Sequence, residues 1–256
     1  MEGADSHGGS QGGRLPALTS HGHLLGGRVS YTQPAEGYRS GIEPVLLAAA
    51  VPARLGERVL EGGAGAGAAL LCLAARVPGL HGVGVEREAV LVTLAEQNAI
   101  ANRQPDVRFI GADMATFSDV GWFDHAMANP PYHAPAGTAS PVPARQAAKR
   151  GHPGLVAMWA AVLARHLRPR GTLTFILASA ILPAAMTALA DADCPPVALL
   201  PLWPKSGRPA KLVLLQGAKG SRSPLRVLPG LVLHEPDGAF TPQAEAILRH
   251  GQVLAL

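Results

Sequence analysis

Arg58–Arg76 reads RVLEGGAGAGAALLCLAAR. Arg58 to Glu61 has the composition of a short strand, Glu61 to Gly67 is a glycine turn, and Ala68 to Arg76 is an apolar helix. Glycines at such a turn let the backbone reverse sharply and come close to a ligand. In open α/β sheets, ligands lie at the carboxyl ends of the strands. This one unit therefore suggests both a fold class and a place for a site. A plain tight turn is the bland reading. Gly63-x-Gly65-x-x-Ala68 also satisfies the dinucleotide fingerprint.

The same alternation runs outward from it. Ile42 to Val51 reads as an apolar helix closed by Pro52, preceded by a short strand at Val29 to Thr32 and a turn from Gln33 to Gly37. Downstream come a strand at Gly82–Glu86, a helix at Glu88–Ala101, a strand at Val107–Gly111 leading to Asp113, and a strand at Asp124–Ala128. A helix at Leu155–Leu167, a strand at Thr172–Ala178 and a helix at Ile181–Ala190 follow. The pattern predicts an α/β fold with a mainly parallel sheet. Val197–Leu202 and Lys211–Gln216 are joined by a link too short for a helical crossover, so the sheet should end in an antiparallel hairpin. Residues 1–23, rich in Gly, Ser and His, read as a disordered tail, and 24–256 as a single domain with a short N-terminal entry segment.

Composition narrows the class. Apolar residues make up 48% and charged residues 16% of 256, the balance of a folded soluble chain. The best membrane candidate, Leu155 to Ala164, is far short of the ~18 apolar residues a span needs. Cys72 and Cys194 are far apart and form no C-x-x-C, which excludes a disulfide framework and a zinc site of usual spacing. The H-G-H pair at His21 and His23 lacks further ligands, so no metal is expected. The cysteine usage fits a reducing compartment, and the cytoplasm is the expected location. Charge is segregated: residues 1–138 carry a net −4, residues 139–226 a net +10 and residues 227–256 a net −2. That asymmetry suggests a polyanionic partner, against the bland reading of a solvated basic face.

Three positions carry candidate chemistry. Glu86 ends the strand after the glycine turn, where a carboxylate can accept hydrogen bonds from vicinal ribose hydroxyls, of NAD or S-adenosylmethionine equally; the alternative is a surface residue capping the next helix. Asp113 can accept from an adenine amine. Asn129-Pro130-Pro131-Tyr132 ends the fourth strand of the alternation. Two prolines stop a strand and push the residue before them to an extended shape, presenting Asn129 at the sheet edge. The Asn129 side-chain oxygen and the Pro130 carbonyl can then accept the two N–H bonds of a conjugated amine, with Tyr132 stacked on its ring. A structural Pro-Pro turn is the alternative.

On these residues the chain resembles the amino-methylating S-adenosylmethionine-dependent methyltransferases. They share an acid-x-G-x-G-x-G loop (Glu61 to Gly67, hence Gly63, Gly65 and Gly67), an acid after the second strand (Glu86) and N-P-P-Y after the fourth. The stretch Gly26-Gly27-Arg28, Gln33-Pro34 and Gly37-Tyr38-Arg39-Ser40-Gly41-Ile42-Glu43 resembles the entry segment of the bacterial tRNA adenine-N6 methyltransferases of the valine-tRNA type. So does the ending Leu231 to Gly238. The resemblance implies a Rossmann-like class I fold, S-adenosylmethionine as cofactor, Tyr38 and Arg39 beside it, and methyl transfer to the N6 amine of an adenine in the anticodon-loop region of tRNA. The family often places an acid beyond the P-P-Y loop, and Ala144–His152 has none. Arg145, Lys149 and Arg150, with Lys205, Arg208 and Lys211 of the terminal hairpin, are candidate phosphate contacts. Trp203 either stacks on a base or packs in the hairpin. Competing readings are methylation of rRNA, DNA or a protein glutamine by the same chemistry, and a nicotinamide-dependent oxidoreductase.

Overall fold

A computed structural model describes residues 18–36, 41–118, 121–131 and 153–256. It opens with an antiparallel hairpin, β1 (Thr19–Leu24) and β2 (Val29–Pro34). The stretch expected as tail thus becomes a strand from Thr19 onward. The reason it reads as tail is that β1 is largely solvent-exposed and polar. Its order comes from backbone pairing with β2, which leaves no apolar period in the sequence. Residues 1–17 lie outside the described residues.

The expected alternation follows in order. It comprises α1 (Glu43–Ala50), β3 (Arg58–Gly62), α2 (Ala68–Arg76), β4 (His81–Glu86), α3 (Ala89–Ala101), β5 (Val107–Gly111) and β6 (Phe123–Ala128). After these come α4 (Pro153–Arg165), β7 (Leu167–Ala178), α5 (Leu182–Asp191), β8 (Pro196–Lys205), β9 (Leu212–Ala218), β10 (Arg226–Val227), β11 (Leu231–His234) and α6 (Pro242–His250). The large sheet has the order β10-β8-β9-β7-β6-β3-β4-β5, with β11 also paired to β8. β3 to β7 are parallel, and β9 is antiparallel to both β7 and β8. The terminal hairpin is therefore present, with its second strand on the inside. Pro201 of β8 falls in the gap between the residues paired with β10 and those paired with β11, where a missing N–H costs no ladder bond on that side.

Helices cover both faces of the sheet. α1, α2 and α6 bury Leu46, Leu47, Leu70, Leu71 and Ile247 on one face. α4 and α5 bury Leu163, Ala185 and Leu189 against Phe175 on the other. α1 is apolar all round because seven of its residues, Pro44 to Ala50, are buried. The chain runs from β3 outward to β5, then returns to β6 on the other side of β3. This reversal places the topological switch point at the carboxyl ends of β3 and β6.

Candidate active site

Register brings the expected site residues to one edge. Gly62 lies opposite both Val85 and Ala128, and Glu86 lies opposite Gly111. The glycine loop, Glu86, Asp113 and Asn129 thus all start within a residue or two of a common level. Asn129 is half-buried directly beyond β6, and Pro130 is buried behind it. Tyr38, Arg39, Tyr132, Arg145, Lys149 and Arg150 lie outside the described residues.

The three loop glycines have φ values of +65° at Gly63, +56° at Gly65 and +88° at Gly67. All three use the left-handed region, but their surroundings differ. A Cβ on Gly63 would sit 2.4 Å from Cη2 of Trp159, and one on Gly67 would sit 2.6 Å from Cζ of Phe109. Those two glycines admit close packing. A Cβ on Gly65 would meet nothing within 4 Å. Its bare backbone faces open space at the strand ends, which is where a ligand can approach.

The loop is held by its neighbours. The Ala64 N–H donates to Val85 O at 3.0 Å, and the Gly65 N–H donates to Glu86 Oε2 at 2.9 Å. Glu86 Oε1 also accepts from the Glu88 N–H at 3.0 Å, so Glu86 performs the helix-entry role that sequence reading set as its alternative. Each carboxylate oxygen keeps a second lone pair for a ligand hydroxyl. Asp113 Oδ1 accepts from the Ala115 N–H at 2.8 Å, which shapes the turn after β5 and leaves Oδ2 for a donor. Two contributors were not singled out from sequence. Trp159, on α4, covers Gly63. Asn98 donates from Nδ2 to Ala66 O at 2.9 Å. Its signal was available: Leu94, Ala95, Asn98 and Ala99 form the buried face of α3, and a polar residue on such a face needs partners.

The model of the methyltransferase small domain family matches residues 43–183, more than half of the chain. The chain belongs to that family. Two curated relatives are similar over most of their length. The tRNA1(Val) (adenine(37)-N6)-methyltransferase of Dickeya chrysanthemi is 28% identical over 224 residues, 82% of this chain and 85% of that one. Its namesake from Aeromonas hydrophila is 29% identical over 206 residues, 78% of this chain and 84% of that one. Among solved structures, a predicted O-methyltransferase from Agrobacterium tumefaciens has a TM-score of 0.68 at 23% identity, covering 84% of this chain and 99% of its own. A Listeria monocytogenes protein provisionally described as a class I S-adenosylmethionine-dependent methyltransferase has a TM-score of 0.53 at 18% identity, over 80% and 67% of the two chains. The fold is that of the class I methyltransferases. The oxidoreductase reading falls with the family assignment.

S-adenosylmethionine is the cofactor of this methyltransferase, and the residues present fit it. Gly65 offers an unobstructed backbone, Glu86 has free lone pairs for ribose hydroxyls, and Asp113 has an acceptor left for an adenine amine. Glu61 is buried at the base of the loop, where its Oε2 accepts from the Leu70 N–H at 3.0 Å. Burial, aided by the nearby Glu86 charge and opposed by the Leu70 bond, pushes its carboxyl up from 4.5 to about 8. The folded state therefore favours the neutral acid. The stability this contributes is fully present below pH 4.5 and is lost as pH rises through about 8. Between pH 5 and 8, one such proton makes unfolding free energy fall by up to about 1.4 kcal/mol per pH unit. Glu61→Gln keeps the acceptor for Leu70 and cannot ionise. Denaturant titrations across pH should give a flatter profile for this variant and a clear advantage over the parent at pH 9. Parallel profiles would mean that Glu61 is ionised in the folded protein.

Proposed function

We propose that this methyltransferase acts on tRNA, at the exocyclic N6 amine of an adenine in the anticodon-loop region, and works in the cytoplasm. The observation that carries the reading is the placement of Asn129-Pro130 beyond β6, beside the glycine loop of β3, in a chain similar to two enzymes named for this reaction. Among the described residues no helix is long and apolar enough to cross a membrane.

Bound S-adenosylmethionine supplies an electrophilic methyl group. An aromatic amine is a weak nucleophile because its lone pair is delocalised into the ring. With the Asn129 side-chain oxygen and the Pro130 carbonyl each accepting one N–H bond, the lone pair is localised on nitrogen and directed at the methyl group. Stacking on the base is the role proposed for Tyr132, next in sequence after Pro131. As the N–C bond forms, the methyl group would part from its sulfur, which leaves as a neutral thioether, and the amine proton would then pass to water, so no strong base is needed beforehand. Acceleration comes mainly from positioning and exclusion of water.

The basic residues supply part of an RNA surface. Ala178 pairs with Leu212, and the Ser179 N–H donates to Lys211 O at 2.9 Å, so the loop carrying Lys205, Arg208 and Lys211 lies at the same sheet edge as Asn129. Among the described residues, however, the cations of this segment do not all lie at that edge. Arg168, Arg170 and Lys219 lie at the opposite edge, where Arg168 pairs with Asp124 and Lys219 with Asp193. Trp203 donates from Nε1 to Pro229 O at 3.2 Å and is half-buried, the packed alternative of the two considered for it.

The test is methylation of total tRNA with labelled cofactor, followed by mass analysis of the nucleosides. N6-methyladenosine should appear in tRNA and not in a fully paired duplex of the same sequence, because an unpaired base costs less to extrude. Raising salt should weaken RNA binding, with a slope set by the carboxyl-edge cations alone and therefore shallower than a net charge of +10 would give. Methylation of a glutamine-containing peptide with none of tRNA would replace this reading by the protein-directed one.

A further inference from the structure

We propose that Asn98 is a positioning residue for the cofactor loop, and that through it the N-terminal hairpin forms part of the cofactor-binding machinery. Asn98 is 2% exposed and projects from α3 between two backbones. Its Oδ1 accepts from the Thr32 N–H at 2.9 Å, and its Nδ2 donates to Thr32 O at 2.9 Å. The same Nδ2 donates to Ala66 O at 2.9 Å. One amide thus pairs with β2 as a strand would and holds the glycine loop between Gly65 and Gly67. Among the described residues, the loop also donates hydrogen bonds to Val85 O and Glu86 Oε2 of β4. Asn98 joins it by hydrogen bonds to the hairpin, whose Tyr31 also packs in one apolar cluster with Ala66 of the loop. A loop fixed before binding loses less freedom on binding, so removing this tie lowers cofactor affinity without altering the reacting groups.

Asn102, one turn on at the C-cap of α3, provides an internal control. It pairs with Ser30 in the same two-sided way, accepting from its N–H at 2.8 Å and donating to its O at 2.7 Å. Its third bond goes to Asn98 O at 2.7 Å and not to the glycine loop. Both side chains therefore hold the hairpin, and only one also holds the loop.

Calorimetry and initial rates on the full chain separate these roles. Asn98→Ala should raise the dissociation constant and KM for S-adenosylmethionine roughly tenfold, with kcat at saturating cofactor retained. Asn102→Ala should leave both within about twofold, with a smaller loss of thermal stability because its bonds to Ser30 are exposed. In the unmodified protein, saturating cofactor should slow hydrogen exchange of the Thr32 amide more than that of Ser30. Equal weakening by the two variants, unchanged affinity in Asn98→Ala, or equal slowing at Thr32 and Ser30 would each overturn the proposal. The exchange measurement decides it should Asn98→Ala fail to fold.

Discussion

Asn129→Ala is expected to bind S-adenosylmethionine within about twofold of the parent and to turn over roughly 100- to 1,000-fold more slowly. Alanine removes the side-chain oxygen proposed to accept from the target amine and leaves the Pro130 carbonyl in place. The prolines still hold the extended backbone, so the loss falls on the reacting geometry alone. The residues proposed for the cofactor, Gly65, Glu86 and Asp113, lie at or just beyond the ends of β3, β4 and β5, and their bonds to Glu86 Oε2, the Glu88 N–H and the Ala115 N–H are made without Asn129. Calorimetry and single-turnover methylation measure the two quantities separately. Normal single-turnover rates would reduce Asn129-Pro130-Pro131 to a strand terminator.

Gly63→Ala and Gly65→Ala should separate stability from binding, although the two residues are neighbours in one loop with similar φ. Both place a side chain in the left-handed region, at roughly 1–2 kcal/mol. In Gly63→Ala the new methyl also meets the Trp159 ring at 2.4 Å, and forcing the buried indole aside adds roughly 1–3 kcal/mol. That variant should lose much of its folding stability. Gly65→Ala meets nothing within 4 Å, so its stability loss stays near the backbone strain. Its methyl occupies the approach to the loop, and cofactor affinity should fall at least about tenfold. Denaturant unfolding and calorimetry on both variants test the contrast. Equal losses on both scales would mean that the open space at Gly65 is not the cofactor's.

The elements that position the site were legible because each is apolar and bounded by glycine, proline or an acid. β3, α2, β4 and β6 fall within a residue or two of their expected limits. What escaped is held by polar or backbone contacts. β1 has no buried face to produce a pattern. β7 begins at Leu167 although Pro169 lies two residues on, because Arg168 to Arg170 are exposed and regular pairing starts only at Thr172. α6 is amphipathic with few large apolar residues, Ile247 and Leu248, and its start depends on the Thr241 side chain accepting from the Ala244 N–H at 3.1 Å. At the far edge of the sheet, His125 joins Glu57 at 3.0 Å and Thr172 at 2.8 Å. Nothing in the spacing of those three residues announces the contact. Within the site, the glycine pattern could be read as a loop. The distinction between Gly65, which faces space, and Gly63, which faces an indole, required the helix that arrives nearly a hundred residues later.

That indole makes the molecule its own optical gauge. Of three tryptophans, Trp122 is 63% exposed, Trp203 is hydrogen-bonded in the hairpin and Trp159 is buried against Gly63. With phenylalanine at 122 and 203, all remaining tryptophan emission would originate beside the glycine loop. Its wavelength and lifetime would then follow the loop's electric field and packing in real time, so that occupancy can be timed on the millisecond scale without a label on protein, cofactor or RNA.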